Sequence, residues 1–316
     1  VINLKARHLE AATAYLFLLP NFLGFLLFTS LPVLASLFLS FMDAQLTPWP
    51  KVLSAHFVGF ANFIKLLGFH CQESAWIAND PKFWKFAGNT VFLMMIIPIQ
   101  IFSSLVLAII MNQKLKGIAA FRTIYFLPTI SNGVAICLLW QWIYNPNFGL
   151  LNSMIMKIGS MLGVEWQGPL WLSSTNWAKP SLMLMSLWVA IGGYNTILYL
   201  AALQNIPKDF YEAAEIDGAN SWQKFWSVTW PMISPTTFFI TIMSIIWGFQ
   251  GGFEQAYIMT RGGPNGATTT LEYYIYNNLY EWHHVGYAAS IAWFLFIIIF
   301  IITIVNWRFG GKLVHY

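Results

Sequence analysis

Few side chains in this 316-residue sequence are equipped for chemistry, and most of those fall in two places. The first is a polar island between two apolar stretches, Ile206 to Pro235, read IPKDFYEAAEIDGANSWQKFWSVTWPMISP. It gathers Glu212, Glu215 and Asp217 beside the apolar Phe210, Tyr211, Phe225 and Trp226. That mixture suits docking on a basic partner around an aromatic anchor. A helical hairpin lying on lipid is the other reading, although acids disfavour an anionic leaflet. The second place is a pair of glycine-containing runs in apolar surroundings, Gly192-Gly193-Tyr194-Asn195 and Trp247-Gly248-Phe249-Gln250-Gly251-Gly252-Phe253-Glu254. Amides and aromatic faces there could bind a polar solute, and Tyr194, Asn195, Phe249 and Gln250 are the candidates. Ordinary interhelical hydrogen bonding and small-residue packing are the plain alternative. Glu254 reads either as a contact residue or as an exposed carboxylate at a helix end.

Other reactive groups do not assemble into a catalytic set. Cys71 and Cys137 lack the paired spacing of a zinc site and read as a loop thiol and a small buried hydrophobe. His283 and His284 are adjacent, so on a helix they point in different directions and make a poor pair of metal ligands. No G-x-x-x-x-G-K-[ST] phosphate loop occurs, so any ATP-driven work would draw on another subunit. The expectation is a chain that is not an enzyme and carries no metal or cofactor of its own.

The elements that must position these residues follow from composition. The sequence is 58% hydrophobic and 9% charged, with mean hydropathy +0.60, against about 25% charged residues in soluble domains; it is therefore expected to be solvated by lipid. The net charge of +4 is too small and dispersed for a nucleic-acid partner. A spanning helix needs about 20 apolar residues, and six uncharged stretches are long enough, predicting helices near 13–40, 87–111, 124–144, 181–203, 234–252 and 286–306 of a single 1–316 membrane domain. The first stretch is too long for a cleaved signal core, so no cleavage is expected. Trp84, Trp140, Trp142, Tyr144, Trp282 and Trp307 fall near the predicted ends, as expected of interfacial anchors. No charge remains inside the trimmed spans, which argues against a proton relay, a voltage sensor and an intramembrane hydrolase.

Basic residues in short flanks set sidedness. Lys5 and Arg7, then Lys114, Lys116 and Arg122, then Arg308 and Lys312 share one side, whereas Glu254, Glu272 and Glu281 occupy the loop before the last span. Both termini should be cytoplasmic, with Lys82 and Lys85 as exceptions to the bias. The outer segments 43–85 and 145–179 read as a lip facing a soluble partner or as a cap over the spans. Within the polar island, Pro207 suits the first turn of a helix, Gly218 suits a left-handed stop, and Asn220 with Gln223 resembles a capping box. Two short helices joined by a tight turn are predicted.

Glu212-Ala213-Ala214, with Gly218 and then Pro231, resembles the EAA loop of binding-protein-dependent ABC importer permeases. The longer run through Glu215-Ile216-Asp217-Gly218-Ala219 resembles the carbohydrate branch. FVGFANFIKLL (57–67), Phe83-Trp84, Asn89-Thr90, FRTIYFLP (121–128), YNPNFGLLN (144–152), TRGGP (260–264) and GYAAS (286–290) follow the order of the larger membrane subunit of maltose-type sugar importers. Val228 and Trp230 depart from the usual Ile and Leu but stay apolar.

The resemblance implies an all-α integral membrane protein with six transmembrane helices, a type I ABC importer permease-like fold and a cytoplasmic coupling helix. It implies a coupling role for Tyr211, Glu212, Ala213, Ala214, Asp217, Gly218 and Ala219, with Glu212 paired to a basic residue of the ATPase. The implied partners are a second homologous permease, two ATPase subunits that hold ATP and Mg, and an extracytoplasmic sugar-binding protein. A glycerol phosphate ester permease looks similar, but the trimmed spans offer no cation for such a substrate. An ATP-independent secondary transporter is disfavoured by the EAA loop.

Overall fold

The computed structural model describes residues 4–45, 55–72, 75–113 and 116–310, with side chains left out at 4–9, 12, 72, 309 and 310. Lys114 and Lys312, used above for sidedness, lie outside the described residues, as do the side chains of Lys5 and Arg7. Among the described residues, five helices are long and apolar enough to cross a membrane: Thr13–Ser40, Pro81–Met111, Thr175–Gln204, Ser221–Gln250 and Val285–Arg308. Ile118–Ile130 and Gly133–Ile143 together are also long and apolar enough but meet at 101°, the geometry of a broken span, which would make six, or of a re-entrant loop.

The chain forms two compact units, one of residues Val1–Asp80 and Ile275–Phe294, the other of Pro81–Tyr274 and Leu295–Tyr316. In the first, the span Thr13–Ser40 contains a π-helical turn at Leu26–Ser30, and its most apolar window is 0% buried within the chain. Two antiparallel hairpins follow, Met42–Asp43 with His56–Phe57 and Phe69–Gln72 with Ala75–Ala78, flanking the short helix Ala61–Leu67. Cys71 is therefore on an exposed strand rather than in a loop. Gly286 lets the start of the last span approach this region, because a Cβ there would overlap the Met42 carbonyl oxygen. The Trp293 indole donates to the Ser36 hydroxyl (3.1 Å), and the Tyr287 hydroxyl donates to the Asp80 carboxylate.

In the second unit, Leu105, Ala108 and Met111 pack against Tyr199, Leu200 and Leu203 and against Ile233 and Ile240. A second cluster joins Ile136, Cys137, Trp140 and Tyr144 to Leu182 and Met185. Trp140 and Tyr144 thus correct the expectation that they are interfacial anchors, since they are 7% and 1% exposed. The Tyr144 hydroxyl donates to the Ser181 carbonyl at 2.7 Å, which offsets the cost of burying it. Trp142, Trp282 and Trp307 are exposed, as an anchor requires. Two predicted continuous helices are interrupted. At Ser131–Asn132 the chain turns, and the Asn132 side chain accepts the Val134 N–H (2.9 Å), capping the next helix. At Gly192–Gly193 the helix of the fourth span is interrupted, and only glycine fits at 192, because a side chain there would overlap the Tyr125 carbonyl oxygen. Ser104 donates to the Ala190 carbonyl (3.1 Å) and Thr196 to that of Ile191, so carbonyls freed by the break keep partners.

Candidate functional site

The helix breaks surround a cavity of about 520 Å³ in the second unit. Its wall includes Tyr194 and Asn195 just after the Gly192–Gly193 break, Gly133 just after the Asn132 break, and Gly251, Gly252 and Glu254 past the end of the fifth span. The Asn195 amide donates to the Ser244 hydroxyl (3.4 Å), and the Gln100 amide to the Ser186 hydroxyl (3.2 Å). Tyr194 meets Trp247 edge to face, with ring centroids 5.7 Å apart. Amides and hydroxyls therefore stand next to aromatic surface, in a wall that has Glu254 but no Lys or Arg among the described residues.

Of the four residues singled out from sequence, Tyr194 and Asn195 line this cavity and Phe249 and Gln250 do not; Phe249 is buried and Gln250 is exposed. Gln100, Ser186, Ser244 and Glu254 belong to the wall but were not among the chosen residues. A lone Gln within the apolar run Ile97–Met111 was the available signal for Gln100. Nothing in sequence brought Ser186 and Ser244 together, because their partners come from other helices. Outside the spans, Glu272 accepts the Phe253 N–H at 2.9 Å. Burial raises its pKa above the usual carboxylate value, the Phe253 hydrogen bond opposes that rise, and the charge of Glu254 adds to it.

The polar island forms the two expected helices. Lys208–Ile216 is preceded by Pro207, whose extended backbone (ψ 136°) puts it at the capping position rather than in the first turn. The helix ends in a Schellman arrangement: Gly218 has φ +77°, its N–H donates to the Glu215 carbonyl (3.0 Å), and the Ala219 N–H donates to that of Ala214 (2.9 Å). Asn220 and Gln223 then close a capping box, each side chain accepting the other's backbone N–H at 2.9 and 2.8 Å. Lys224 pairs with Glu215 at 2.7 Å. Glu212, Ala213 and Asp217 are exposed, next to the exposed rings of Phe210, Trp222 and Trp226. Tyr211 faces inward, its hydroxyl 2.9 Å from that of Thr229 on the next helix.

Apolar spans around a largely apolar cavity that carries a few amides and hydroxyls, with an acidic aromatic loop between two of them, are the architecture of a multi-pass membrane protein. The chain belongs to the family described as binding-protein-dependent transport system inner membrane component, whose pattern matches residues 74–309. It is 33% identical over 96% of its length to the probable ABC transporter permease protein YesP of Bacillus subtilis, covering 91% of that protein. It is 35% identical over 92% of its length to the lactose transport system permease protein LacF of Rhizobium radiobacter, again covering 91% of the relative. Its fold matches a chain of the crystal structure of a bacterial ABC transporter involved in the import of the acidic polysaccharide alginate, with TM-score 0.80, 23% identity and 98% of each chain covered.

Proposed function

We propose that the chain is the permease subunit of an ATP-driven sugar importer and supplies half of a translocation pathway. The observation that carries this reading is the cavity wall. Asn195, Gln100, Ser186 and Ser244 offer hydrogen bonds to hydroxyl groups, the Tyr194–Trp247 pair offers a surface for the C–H face of a sugar ring, and the described wall has no Lys or Arg to favour an anion. Gln250, which is exposed, is assigned to the stretch of pathway beyond the cavity, where a second permease chain completes the wall, whereas the buried Phe249 supports the helix from within.

In this reading residues 206–235 form the coupling loop. Glu212, Ala213 and Asp217 present its outer face to an ATPase, Tyr211 and Ala214 hold the helix against its own chain, and Gly218 and Ala219 make the turn. ATP and Mg are bound by two ATPase subunits, and an extracytoplasmic binding protein delivers the sugar. Both termini are cytoplasmic, and residues 1–316 act as one transmembrane domain.

Affinity purification of the tagged chain from its native membrane, followed by mass spectrometry and an ATPase assay, tests the proposal. Recovery of a second permease and an ATPase, with ATP hydrolysis stimulated by a sugar-loaded binding protein, is the expected result. Stimulation by a phosphate ester but by no neutral sugar would overturn the substrate class. A chain recovered alone from several mild detergents would overturn the coupling to ATP.

A further inference from the structure

Glu254 is the one charged side chain in the described wall of the cavity, and it is exposed. The amides of the wall are paired off, Gln100 with Ser186 and Asn195 with Ser244. The Glu254 carboxylate, by contrast, forms no ion pair and no hydrogen bond among the described residues. The neighbouring carboxylate, Glu272, is engaged by the Phe253 N–H and does not line the cavity.

The surroundings keep this charge in place and let it act across the cavity. Its oxygen lies against Gly133, at the N-terminus of the helix Gly133–Ile143, where a negative charge is stabilised. The charge acts on Cys137, one turn further along that helix and in the same wall. Most of the wall is apolar, and low-dielectric walls focus the field of a charge into the space between them.

We propose that Glu254 is the charge-selecting residue of the cavity: it accepts hydrogen bonds from hydroxyl or ammonium groups of a passing solute and turns away solutes that carry a carboxylate or phosphate. An ionised carboxylate has two acceptor oxygens and no proton to give. It can therefore receive two adjacent hydroxyls of a sugar ring at once, in bonds stronger than those between neutral groups. An anionic solute brings like charge to the same place and finds no cation in the described wall to offset it. The solute class narrows to neutral and amino-bearing sugars, with sugar acids and phosphate esters excluded. This inference rests on the reading of the cavity as the solute passage.

The test measures the charge preference of the cavity in the complete transporter in nanodiscs. Ser186→Cys, in a Cys71→Ser background, places a thiol in the wall; Cys137 is buried, and its reactivity is subtracted using the same protein without Ser186→Cys. Modification rates with the cationic trimethylammonioethyl and the anionic sulfonatoethyl methanethiosulfonates are each divided by the rate with a small free thiol. The expected result is a severalfold preference for the cation, abolished by Glu254→Gln and kept by Glu254→Asp. Equal rates, a preference for the anion, or a cation preference that Glu254→Gln leaves intact would overturn the proposal. So would a thiol that even uncharged methyl methanethiosulfonate fails to reach, since the cavity would then admit no solute. ATP hydrolysis is measured on the same preparations with a sugar-loaded binding protein. Absence of stimulation beside an intact charge preference would refute the importer reading and leave the role of Glu254 standing.

Discussion

The carboxylate of Glu254, beyond the end of the fifth span, lies directly against Gly133, the first residue of the second half of the bent span, so closely that a methyl group at 133 would overlap its oxygen. A carboxylate is favoured at a helix N-terminus, and this one joins two of the helix breaks that shape the cavity. Gly133→Ala should push aside the Glu254 carboxylate, the far end of an exposed and flexible side chain, at little cost in stability. The expected outcome is an unchanged melting temperature with slower uptake in proteoliposomes, the complex still assembled. Wild-type uptake would show that the position of the carboxylate does not matter to the pathway.

Glu212→Lys reverses a charge on the exposed face of the proposed coupling loop without touching the Lys224–Glu215 pair. Glu212→Lys should release the ATPase from the purified complex while leaving the chain inserted. Copurification is the measurement, and a full complement of ATPase on the variant would remove Glu212 from the contact.

At the cavity, Asn195→Ala deletes the amide that donates to Ser244. One hydrogen bond to a neutral group contributes about 0.5–1.5 kcal/mol, so the sugar concentration for half-maximal uptake should rise roughly two- to tenfold. Assembly and basal ATP hydrolysis should stay unchanged. An unaltered half-maximal concentration would leave Asn195 as a packing residue only.

Glu272 makes stability depend on pH. Its folded-state pKa is raised by burial, so the protonated form fits the fold better than the charged one. Its contribution is fully present below the ordinary carboxylate pKa and is lost as pH rises through the raised value. Glu272→Gln retains an acceptor for the Phe253 N–H and should flatten that fall in melting temperature toward neutral pH, which scanning fluorimetry from pH 4 to 8 would read. Parallel curves for the two proteins would exclude this source.

Local signals were legible where neighbouring residues decide the outcome. Gly218, Asn220 and Gln223 fixed the turn of the polar island because a Schellman stop and a capping box involve only residues a few positions apart. Tyr194 and Asn195 were legible as polar groups beside a glycine pair, although the steric demand at Gly192 comes from Tyr125 in another helix. Trp140 and Tyr144 were misplaced because position near a span end does not distinguish a ring facing headgroups from one packed on Leu182 and Met185. The bend at Asn132 falls at Ser131-Asn132-Gly133, a turn-prone run that a search for uncharged stretches does not register, since hydropathy reports length in lipid and not direction.

The hydroxyl contact between Tyr211 and Thr229 ties the acidic loop to the helix Ser221–Gln250, whose far end reaches the Gly251–Gly252 break in the cavity wall. Those 30 residues make a rod about 45 Å long at 1.5 Å per residue. Pivoted near the loop, such a rod turns a tilt of about 5° into a displacement of about 4 Å at the other end by the same geometry. The chain thus has the leverage of a long crank: a small rotation at one face of the membrane is magnified to roughly the width of a sugar hydroxyl and its hydrogen bond by the time it reaches Glu254.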